Sequence, residues 1–486
     1  MRIAVQAGDR DFEIECKEGD DLLSLLQAAG VNIPAGCGGR GTCGKCRVQV
    51  RGGSFGGEWQ EVLACRTEAE DGLFVRAGEY AGGGLTEGEL GAAECDGEEG
   101  IGLAVDIGTT TVAYALCDLK SGAVLGKCAE LNRQASFGAD VISRIMSAEE
   151  GNAELLAAAV RGQIEETILR LKENHSIKEL KKVAVCGNTT MLHLFCGEDV
   201  SGIGRYPFTP AFTEYRRLSG AQVGLSAAEV HILPSVSAYV GADIVAGAIA
   251  AGLDREEALL VDIGTNGEML AHAHGKFVCT STAAGPCFEG ANIECGTGGV
   301  AGAIDGVSLS GGKISYTTIG GEPPRGICGA GLVDALAVML QSGVIDETGA
   351  FEEGEKFEIG GGVYISQKDV RNYQLAKSAI YSGIRVLAAR AGLLLADMRL
   401  YIAGGLGFYL DGENARKTGL LPAENAPLQT VIGNAALAGT RLCMLSKRAL
   451  ERAVRLAKET EYIDLSADAD FMDEYIGNMG FESGEN

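Results

Sequence analysis

Four cysteines near the amino terminus have the spacing of metal ligands. Five residues separate Cys37 from Cys43, two separate Cys43 from Cys46, and Cys65 follows in the tetrad LACR. Thiolates bind iron and zinc, and the glycines of GCGGRGTCGKC let a loop bring its amides close to a bound cluster, since glycine adopts positive φ angles without strain. The spacing therefore predicts one metal centre held by these four thiols.

The gaps between the four cysteines favour an iron–sulfur cluster over zinc. Zinc knuckles usually contain two CxxC pairs, whereas this loop contains one. A first gap of five residues resembles the adrenodoxin-like branch of the [2Fe-2S] ferredoxins, and the strand, helix, cysteine loop and strand of residues 1–78 resemble the ferredoxin β-grasp fold. This resemblance implies a [2Fe-2S] cluster on Cys37, Cys43, Cys46 and Cys65, with a structural zinc site as the alternative.

The remaining cysteines are scattered along the chain. Cys279, Cys287 and Cys295 are evenly spaced beside a glycine-rich stretch and could bind a second cluster, but buried apolar thiols are the favoured interpretation. Fifteen cysteines in one chain, without the long apolar region of a signal peptide, indicate a reducing compartment that does not maintain disulfides. We therefore expect a cytoplasmic protein.

A second pattern appears twice in the rest of the chain, as LAVDIGTTTV at 103–112 and LLVDIGTNGE at 259–268. Each copy is an apolar strand, a glycine-containing turn and a second strand, which predicts a β-hairpin at the start of a sheet. Amides and hydroxyls in such a turn can bind phosphate oxygens, while Asp106 and Asp262 at the strand ends can face a hydrated Mg²⁺. The repeat predicts two α/β lobes that bind a triphosphate between them.

These loops resemble those of the superfamily that joins acetate and sugar kinases, Hsp70 and actin. The late YIAGGLG has the place of that superfamily's adenosine loop, although an AGG alone is also an ordinary strand-to-helix turn. Glu268 is a candidate for orienting the attacking water, with a solvent-facing hairpin carboxylate as the alternative. The resemblance implies ATP-binding residues at Gly108, Thr109, Thr110, Thr111, Gly264, Thr265, Asn266, Gly404 and Gly405.

Composition and patterning suggest a multidomain α/β protein. A chain of 486 residues is too long for one core, and its net charge of −25 disfavours nucleic acid and anionic membrane surfaces as partners. The glycines before the apolar helix of GICGAGLVDAL could meet an anion or a ribose, or could only pack against the sheet. We predict a ferredoxin-like domain at 1–78, a flexible Gly/Glu-rich linker at 79–100, ATPase lobes at 101–254 and 255–446, and a helix with an acidic tail at 447–486.

The fusion of both parts resembles the reductive activators of corrinoid proteins. The segments that carry this resemblance are NRQASFGADVISRI, CGNTTMLHL, STAAGPCFEGA, ISQKDVRNYQLAKSAI and IGNAAL. It implies ATP-dependent transfer of one electron from the cluster to Co(II) of a corrinoid protein, which regenerates Co(I) for methyl transfer. The chain departs from larger members in its length, which suggests that an intervening domain is missing, and in NRQ at 132–134, where the family more often has NPQ.

The same resemblance suggests partners and leaves other functions open. A corrinoid-binding protein would accept the electron, a low-potential donor such as ferredoxin or flavodoxin would supply it, and a homodimer is suggested by family analogy. One alternative is an ATP-dependent activator of another metalloenzyme, although such activators typically hold their cluster between ATPase subunits and lack a ferredoxin domain. Another is a redox-sensing scaffold that binds ATP.

Overall fold

The amino-terminal residues form a five-stranded mixed sheet with one helix. The computed structural model describes residues 1–7, 10–29, 31, 33, 46–77, 94–406, 410–466 and 468–481. The first elements are β1 (Arg2–Ala7), β2 (Arg10–Glu15), α1 (Leu22–Ala28), β3 (Arg47–Arg51), β4 (Gln60–Leu63) and β5 (Phe74–Ala77). The strand order is β2-β1-β5-β3-β4, with β1 parallel to β5. Alternate residues Ile3, Val5 and Ala7 enter the core with the leucines of α1, as expected for a sheet with one buried face. This arrangement confirms the predicted β-grasp fold.

A second sheet begins the part of the chain that the sequence predicts to bind ATP. Its strands are β6 (Ile101–Ile107), β7 (Thr111–Asp118), β8 (Val124–Leu131), β9 (Leu180–Gly187), β10 (Arg216–Ser219) and β11 (Ala227–Ile232), in the order β10-β11-β9-β6-β7-β8. The helices of this region are α2 (Val141–Ser147), α3 (Ala153–Asn174), α4 (Thr189–Cys196), α5 (Ser201–Gly204), α6 (Gly220–Val223) and α7 (Ala242–Ala251). The helical spacing of Leu156, Val160 and Ile164 is explained by α3, which buries these residues in the core.

A third sheet has the same central plan. Its strands are β12 (Ala258–Ile263), β13 (Gly267–Ala273), β14 (Lys276–Thr282), β20 (Arg399–Ala403), β21 (Gln429–Gly433) and β22 (Thr460–Tyr462). Two smaller sheets lie between β14 and β20 in the chain. One contains β15 (Ala303–Ser310), β16 (Lys313–Thr318) and β17 (Gly326–Ile327), and the other contains β18 (Lys356–Gly360) and β19 (Val363–Ser366). The remaining helices are α8 (Gly329–Gln341), α9 (Gln367–Ala391), α10 (Gly412–Lys417), α11 (Ala435–Leu445), α12 (Lys447–Glu459) and α13 (Ala469–Gly477). The third sheet has the order β21-β20-β12-β13-β14-β22.

The two six-stranded sheets confirm the duplication that the repeated sequence predicts. Each sheet contains three consecutive antiparallel strands, β6–β8 in one and β12–β14 in the other. A later strand pairs in parallel with the first strand of each set: β9 with β6, and β20 with β12. The two repeats form the hairpins β6–β7 and β12–β13, as expected. Each hairpin turn therefore lies at the carboxyl end of a central buried strand, where α/β sheets bind ligands.

Helix α11 joins the two lobes. It follows β21 of the third sheet, yet it packs on α7 and on strands β6 and β9 of the second sheet. Its buried residues Ala435 and Ala436 belong to the same apolar core as the second sheet, and Gly439 lies so close to the backbone of Ala246 that an added Cβ would overlap it. The last helix of the predicted second lobe, 255–446, therefore packs in the core of the first lobe.

Two segments are more ordered than their composition suggests. The predicted acidic tail contains β22, which extends the third sheet beside β14, and α13, which packs on α9 with Arg390 paired to Asp468. At the end of the predicted linker, the Asp96 amide donates to the Leu445 carbonyl at 3.0 Å and Glu98 pairs with Lys182. Composition cannot reveal these contacts because the partners are distant in sequence. Among the described residues, no helix is long and apolar enough to cross a membrane.

Candidate functional site

The first predicted phosphate loop is the turn between β6 and β7, and Asn132 supports it with two hydrogen bonds. The Gly108 amide donates to the Thr111 carbonyl at 3.0 Å, which closes the turn. Asn132 donates from Nδ2 to the Gly108 carbonyl at 2.8 Å, while its own amide donates to the Thr110 carbonyl at 2.8 Å. Asn132 is 1% exposed. The turn is therefore fixed from behind by the first residue of the NRQ tripeptide.

The second residue of that tripeptide makes a contact that proline could not make. The Arg133 amide donates to Gln163 Oε1 at 3.0 Å, and its guanidinium pairs with Glu166 on α3. Since proline lacks an amide hydrogen, a proline at position 133 could not form the first of these bonds. Arg133 thus links this segment to α3 through its amide and its guanidinium.

A buried arginine completes the support of the first loop. Arg144 of α2 is fully buried and donates to the carbonyls of Gly138, at 3.0 Å, and Thr109. Burial lowers the pKa of Arg144 to about 10, so the side chain remains charged at neutral pH. On the other side of the loop, Asn188 donates from Nδ2 to Thr109 Oγ1 at 3.1 Å while its own oxygen caps α4. The positions of Thr109 and Gly108 are therefore determined by buried side chains.

Asn132→Ala is expected to weaken nucleotide binding and to lower stability by about 1–3 kcal/mol, because it leaves the buried Gly108 carbonyl without its side-chain donor. Denaturant unfolding and calorimetric titration with Mg-ATP measure the two effects. Asn152→Ala is a matched control, since Asn152 bonds only to Ser147 among the residues described. Equal nucleotide affinity in the wild type and Asn132→Ala would contradict this role.

The second predicted phosphate loop, between β12 and β13, is one residue shorter than the first. The Gly264 amide donates to the Asn266 carbonyl at 3.2 Å. Gly404, which follows β20, lies directly beside this loop: a Cβ added there would lie 2.6 Å from Asp262 Oδ1 and 2.5 Å from the Ile263 carbonyl. With φ of 97° as well, this position requires glycine. The structure thus brings the second loop and the predicted adenosine loop together.

The predicted adenosine loop also meets the amino end of α8. A Cβ added at Gly329 would lie 2.9 Å from Leu406 Cδ1, so the glycines of GICGAGLVDAL permit close packing against YIAGGLG. Gly405 is exposed next to the buried Leu406. Close packing is therefore sufficient to explain why residue 329 is a glycine, without a role in binding an anion or a ribose.

Four carboxyl groups lie close together beside the two hairpin turns, those of the buried Glu268 and of the partly exposed Asp106, Asp243 and Asp262. Asp106 accepts hydrogen bonds from Asn434 at 3.0 Å and from the Cys186 thiol at 3.6 Å. Burial, with the charge of Asp243, raises the pKa of Asp106 to about 7. Burial, with the charges of Asp243 and Asp106, raises the pKa of Asp262 to about 8. These groups therefore repel one another's charge.

The other two carboxyl groups, Glu268 and Asp243, share a hydrogen bond. Glu268 pairs with Asp262 across the β12–β13 hairpin and accepts from the Gly241 amide at 3.2 Å. Burial, then the charge of Asp243, raises the pKa of Glu268 well above its usual value, and burial also raises the pKa of Asp243. Glu268 is 7% exposed, so the solvent-facing alternative for this residue is wrong.

A hydrated divalent cation fits these four carboxyl groups. No three histidine, cysteine or carboxylate side chains converge to bind a metal directly in the part of the chain that the structure describes. Mg²⁺ in ATP sites commonly keeps several waters and binds through phosphates with one or two carboxylates. Such an ion would supply the positive charge that the repelling carboxylates favour.

The nucleotide-free protein is expected to lose stability between about pH 4 and pH 8. The folded chain holds protons on Asp106 and Asp262 up to about pH 7 and about pH 8, whereas their usual pKa is 3.8. The stabilisation that comes from these raised pKa values is complete below the pKa that the two carboxyl groups have in the unfolded chain. It is lost as the pH rises through the pKa that they have in the folded chain. Thermal midpoints at pH 5.5 and 8.5 measure this loss, which should be smaller in Asp262→Asn. An equal loss in both proteins would contradict the assignment.

One further carboxylate connects the two phosphate loops. Glu289 Oε2 accepts a hydrogen bond from Thr110 Oγ1 at 2.8 Å and another from Thr265 Oγ1 at 2.6 Å. Thr110 belongs to the first loop and Thr265 to the second. The loops of the two lobes thus face each other across a single carboxylate oxygen.

Two of the four predicted cluster ligands fall within the described residues. The sulfurs of Cys46 and Cys65 lie 3.2 Å apart, which is longer than a disulfide bond of about 2.05 Å. The Ala64 amide donates to the Cys46 carbonyl at 2.8 Å and holds the two segments together. Cys37 and Cys43 lie outside the described residues. The geometry of Cys46 and Cys65 allows both thiolates to bind one iron.

The three later cysteines do not form a cluster site. Cys279 and Cys287 are buried, whereas Cys295 is partly exposed near the Gly362 carbonyl. Burial raises the pKa of all three thiols, to about 12 for Cys287, which keeps them protonated at neutral pH. These properties agree with buried apolar thiols for Cys279 and Cys287.

Sequence reasoning missed several residues that shape this site. Asn132, Asn188, Glu289 and Asn434 lie within segments that carry the family resemblance, but no role followed from those segments alone. Their roles depend on contacts over long sequence distances, such as Asn434 with Asp106. Asp243 had only a weak signal, an acidic residue in the first turn of an apolar helix.

Comparisons with known proteins agree with both parts of the chain. Residues 5–70 match the 2Fe-2S iron–sulfur cluster binding domain, residues 101–256 the RACo middle region, and residues 256–485 the C-terminal domain of RACo, the ASKHA domain. The chain is 30% identical to the corrinoid activation enzyme RamQ of Eubacterium limosum, over 96% of this chain and 97% of that protein.

Two further relatives extend this similarity. A [Co(II) methylated amine-specific corrinoid protein] reductase of Methanosarcina barkeri is 24% identical, over 78% of this chain and 77% of its own length. A solved structure of a reductive activator for corrinoid, iron–sulfur protein superposes with a TM-score of 0.74 and 32% identity, over 99% of this chain and 98% of that one. The alignment with RamQ spans 581 positions, more than the 486 residues of this chain, which agrees with the expectation that the chain is shorter than larger members of the family.

Proposed function

Because the chain belongs to the family of reductive activators of corrinoid proteins, we propose that it delivers one electron to the Co(II) of a corrinoid protein at the expense of ATP. The observation that carries this proposal is the union, in one chain, of a [2Fe-2S] domain and an ATPase whose two phosphate loops meet beside the four carboxyl groups. The product is Co(I), the form of the cofactor that accepts a methyl group.

We assign the cluster to Cys37, Cys43, Cys46 and Cys65. The 3.2 Å separation of the Cys46 and Cys65 sulfurs supports the assignment of the last two. A bound [2Fe-2S] cluster supplies a one-electron centre, with a potential near about −400 mV in plant-type ferredoxins. The chain contributes the thiolates and a short sheet that fixes Cys46 and Cys65 on adjoining segments.

We assign ATP to the cleft between the duplicated sheets. Gly108, Thr109, Thr110 and Thr111 would contact the phosphates from one lobe, and Gly264, Thr265 and Asn266 from the other. Asp106 and Asp262 would bind waters of Mg²⁺, which neutralises phosphate charge. Glu268 would orient the attacking water, since it is held by the Gly241 amide opposite Asp262. Gly404 and Gly405 would abut adenosine, next to Asp262.

ATP is needed because the electron transfer is uphill. Each 59 mV against a one-electron transfer lowers its equilibrium constant about tenfold, and Co(I) is a stronger reductant than the cluster. Nucleotide binding can change this balance only if it favours one arrangement of the lobes over another. We propose that the lobe arrangement set by ATP determines how the corrinoid protein docks.

The remaining parts of the proposal concern the cellular setting. A low-potential ferredoxin or flavodoxin would reduce the cluster, the protein would act in the cytoplasm, and two copies would form a homodimer. The Co(II)-to-Co(I) conversion, followed by absorbance in the presence of a reductant and Mg-ATP, tests the proposed function. Absence of Co(I) with every donor tried would contradict it.

A further inference from the structure

We propose that Glu289 occupies the place of a phosphate oxygen in the nucleotide-free protein, ties the two phosphate loops together, and gives way when ATP binds. The inference rests on the proposed function, because it takes the cleft as the ATP site. It assigns to Glu289 a role that no sequence motif indicated, that of a carboxylate which competes with the nucleotide and couples nucleotide binding to the contact between the lobes.

The geometry of the two threonines supports a substitute for phosphate. Thr110 Oγ1 and Thr265 Oγ1 donate to the same Glu289 oxygen, at 2.8 and 2.6 Å. Each donor lies in one of the two glycine-containing turns whose amides and hydroxyls are suited to phosphate. A single anionic oxygen between the two turns has the position and the acceptor character expected of a phosphate oxygen in the same cleft.

The backbone of Glu289 is anchored by buried neighbours, whereas the residue itself is partly exposed. Residues Pro286–Glu289 form a 3₁₀ turn anchored by the buried Cys287 and Phe288, and the Ala291 amide donates to the Pro286 carbonyl at 3.1 Å. Gly290, at φ of 77°, turns the chain away immediately afterwards. The side chain itself is only partly buried. A rotation of the side chain alone can therefore release both threonines.

The hydroxyls cannot serve the carboxylate and the phosphates at once. A threonine hydroxyl carries one hydrogen, so a phosphate oxygen that accepts it must displace Glu289. The negative charge of Glu289 also opposes an incoming triphosphate, and it already contributes to the raised pKa of Asp262. Nucleotide binding therefore requires that the link between Thr110 and Thr265 be broken, which ties ATP occupancy to contact between the lobes.

Two substitutions separate a hydrogen-bonded link from charge alone. Glu289→Gln removes the charge and weakens the hydrogen bonds, whereas Glu289→Asp keeps the charge but is too short to reach both threonines. If Glu289 competes through its hydrogen bonds, both variants should bind Mg²⁺ and a non-hydrolysable ATP analogue about tenfold more tightly than the wild type, because bonds to an anion need not be broken first.

Glu294→Gln is the matched control. Glu294 lies in the same segment and accepts two hydroxyl hydrogen bonds, from Tyr364 at 2.9 Å and Ser366 at 3.0 Å, but these donors lie outside the phosphate loops. Calorimetry on the full chain should give wild-type affinity for this variant. Unchanged or weaker binding of the analogue in both Glu289 variants would overturn the proposal. Tighter binding in Glu289→Gln alone would mean that Glu289 acts only through its charge, and would overturn the hydrogen-bonded link.

Hydrogen exchange without nucleotide tests the link independently of binding. Amides of the two loops, residues 108–111 and 264–266, should exchange faster in Glu289→Gln than in the wild type or Glu294→Gln. Equal exchange in all three proteins would contradict the link. If the wild type showed no binding of the analogue, the ATP site itself would be refuted, and faster exchange in Glu289→Gln would then still identify the contact between the loops.

Discussion

Cys65→Ser is expected to abolish the visible absorption of the [2Fe-2S] cluster while leaving ATP binding unchanged. Cys65 follows its partners at the greatest distance in sequence, yet its sulfur lies 3.2 Å from that of Cys46. A serine hydroxyl is a much weaker ligand for iron than a thiolate, and loss of one ligand exposes the cluster. The absorption spectrum of the anaerobically reconstituted protein measures the first effect, and calorimetry with Mg-ATP measures the second.

Cys16→Ser provides the matched control within the same domain. Cys16 follows β2, its thiol lies 3.9 Å from the Met1 carbonyl, and it is not one of the four predicted ligands. This variant should keep the full cluster spectrum. A cluster that survives Cys65→Ser would mean that a different residue is the fourth ligand, and loss of ATP binding together with the cluster would contradict the independence of the two parts.

Asp262→Asn is expected to slow Mg-dependent ATP hydrolysis by about 10²-fold or more and to raise the thermal midpoint of the nucleotide-free protein. Loss of one preorganised charged group from a buried site commonly costs about 10²–10³ in rate. The stability gain follows because burial, with the charges of Asp243 and Asp106, raises the pKa of Asp262 to about 8. Sites that hold repelling charges for function are commonly stabilised when one charge is removed.

Phosphate release and thermal unfolding at pH 8 measure the two effects of Asp262→Asn. Asp397→Asn, an exposed substitution in a short turn before β20, should leave both at wild-type values. The cluster spectrum should be normal in both variants. Hydrolysis at the wild-type rate in Asp262→Asn would place the phosphate site elsewhere. A lower thermal midpoint would contradict the raised pKa of Asp262.

The hairpins and the sheet that bears the cluster could be predicted because their signals are local. An apolar strand, a DIGT turn and a second strand specify a hairpin by themselves, and the repetition specifies two of them. The resemblance of the cysteine loop to ferredoxins likewise rests on a short stretch. By contrast, Asp243 and Glu289 reach the site through the packing of α7 and of a 3₁₀ turn, which no local pattern describes.

Long-range pairing also explains why the ends of the ATPase part were predicted less well. Strand β22 has only three residues and becomes a strand because β14 offers a parallel edge about 180 residues earlier in the chain. Helix α11 has an ordinary apolar pattern, but its glycine at position 439 is explained only by contact with Ala246 of α7. Sequence patterns report propensity, whereas these features depend on which surface is available.

The central claim is that one chain couples ATP to the reduction of a corrinoid protein through its own cluster. The most direct measurement mixes the reconstituted protein, a low-potential reductant, Mg-ATP and a Co(II) corrinoid protein under anaerobic conditions, and follows Co(I) by absorbance. We predict that Co(I) forms with the wild-type protein. No Co(I) should form when ATP is omitted, or when the Cys65→Ser or Asp262→Asn variant replaces the wild-type protein. Co(I) at the wild-type rate without ATP, or with Cys65→Ser, would contradict the account.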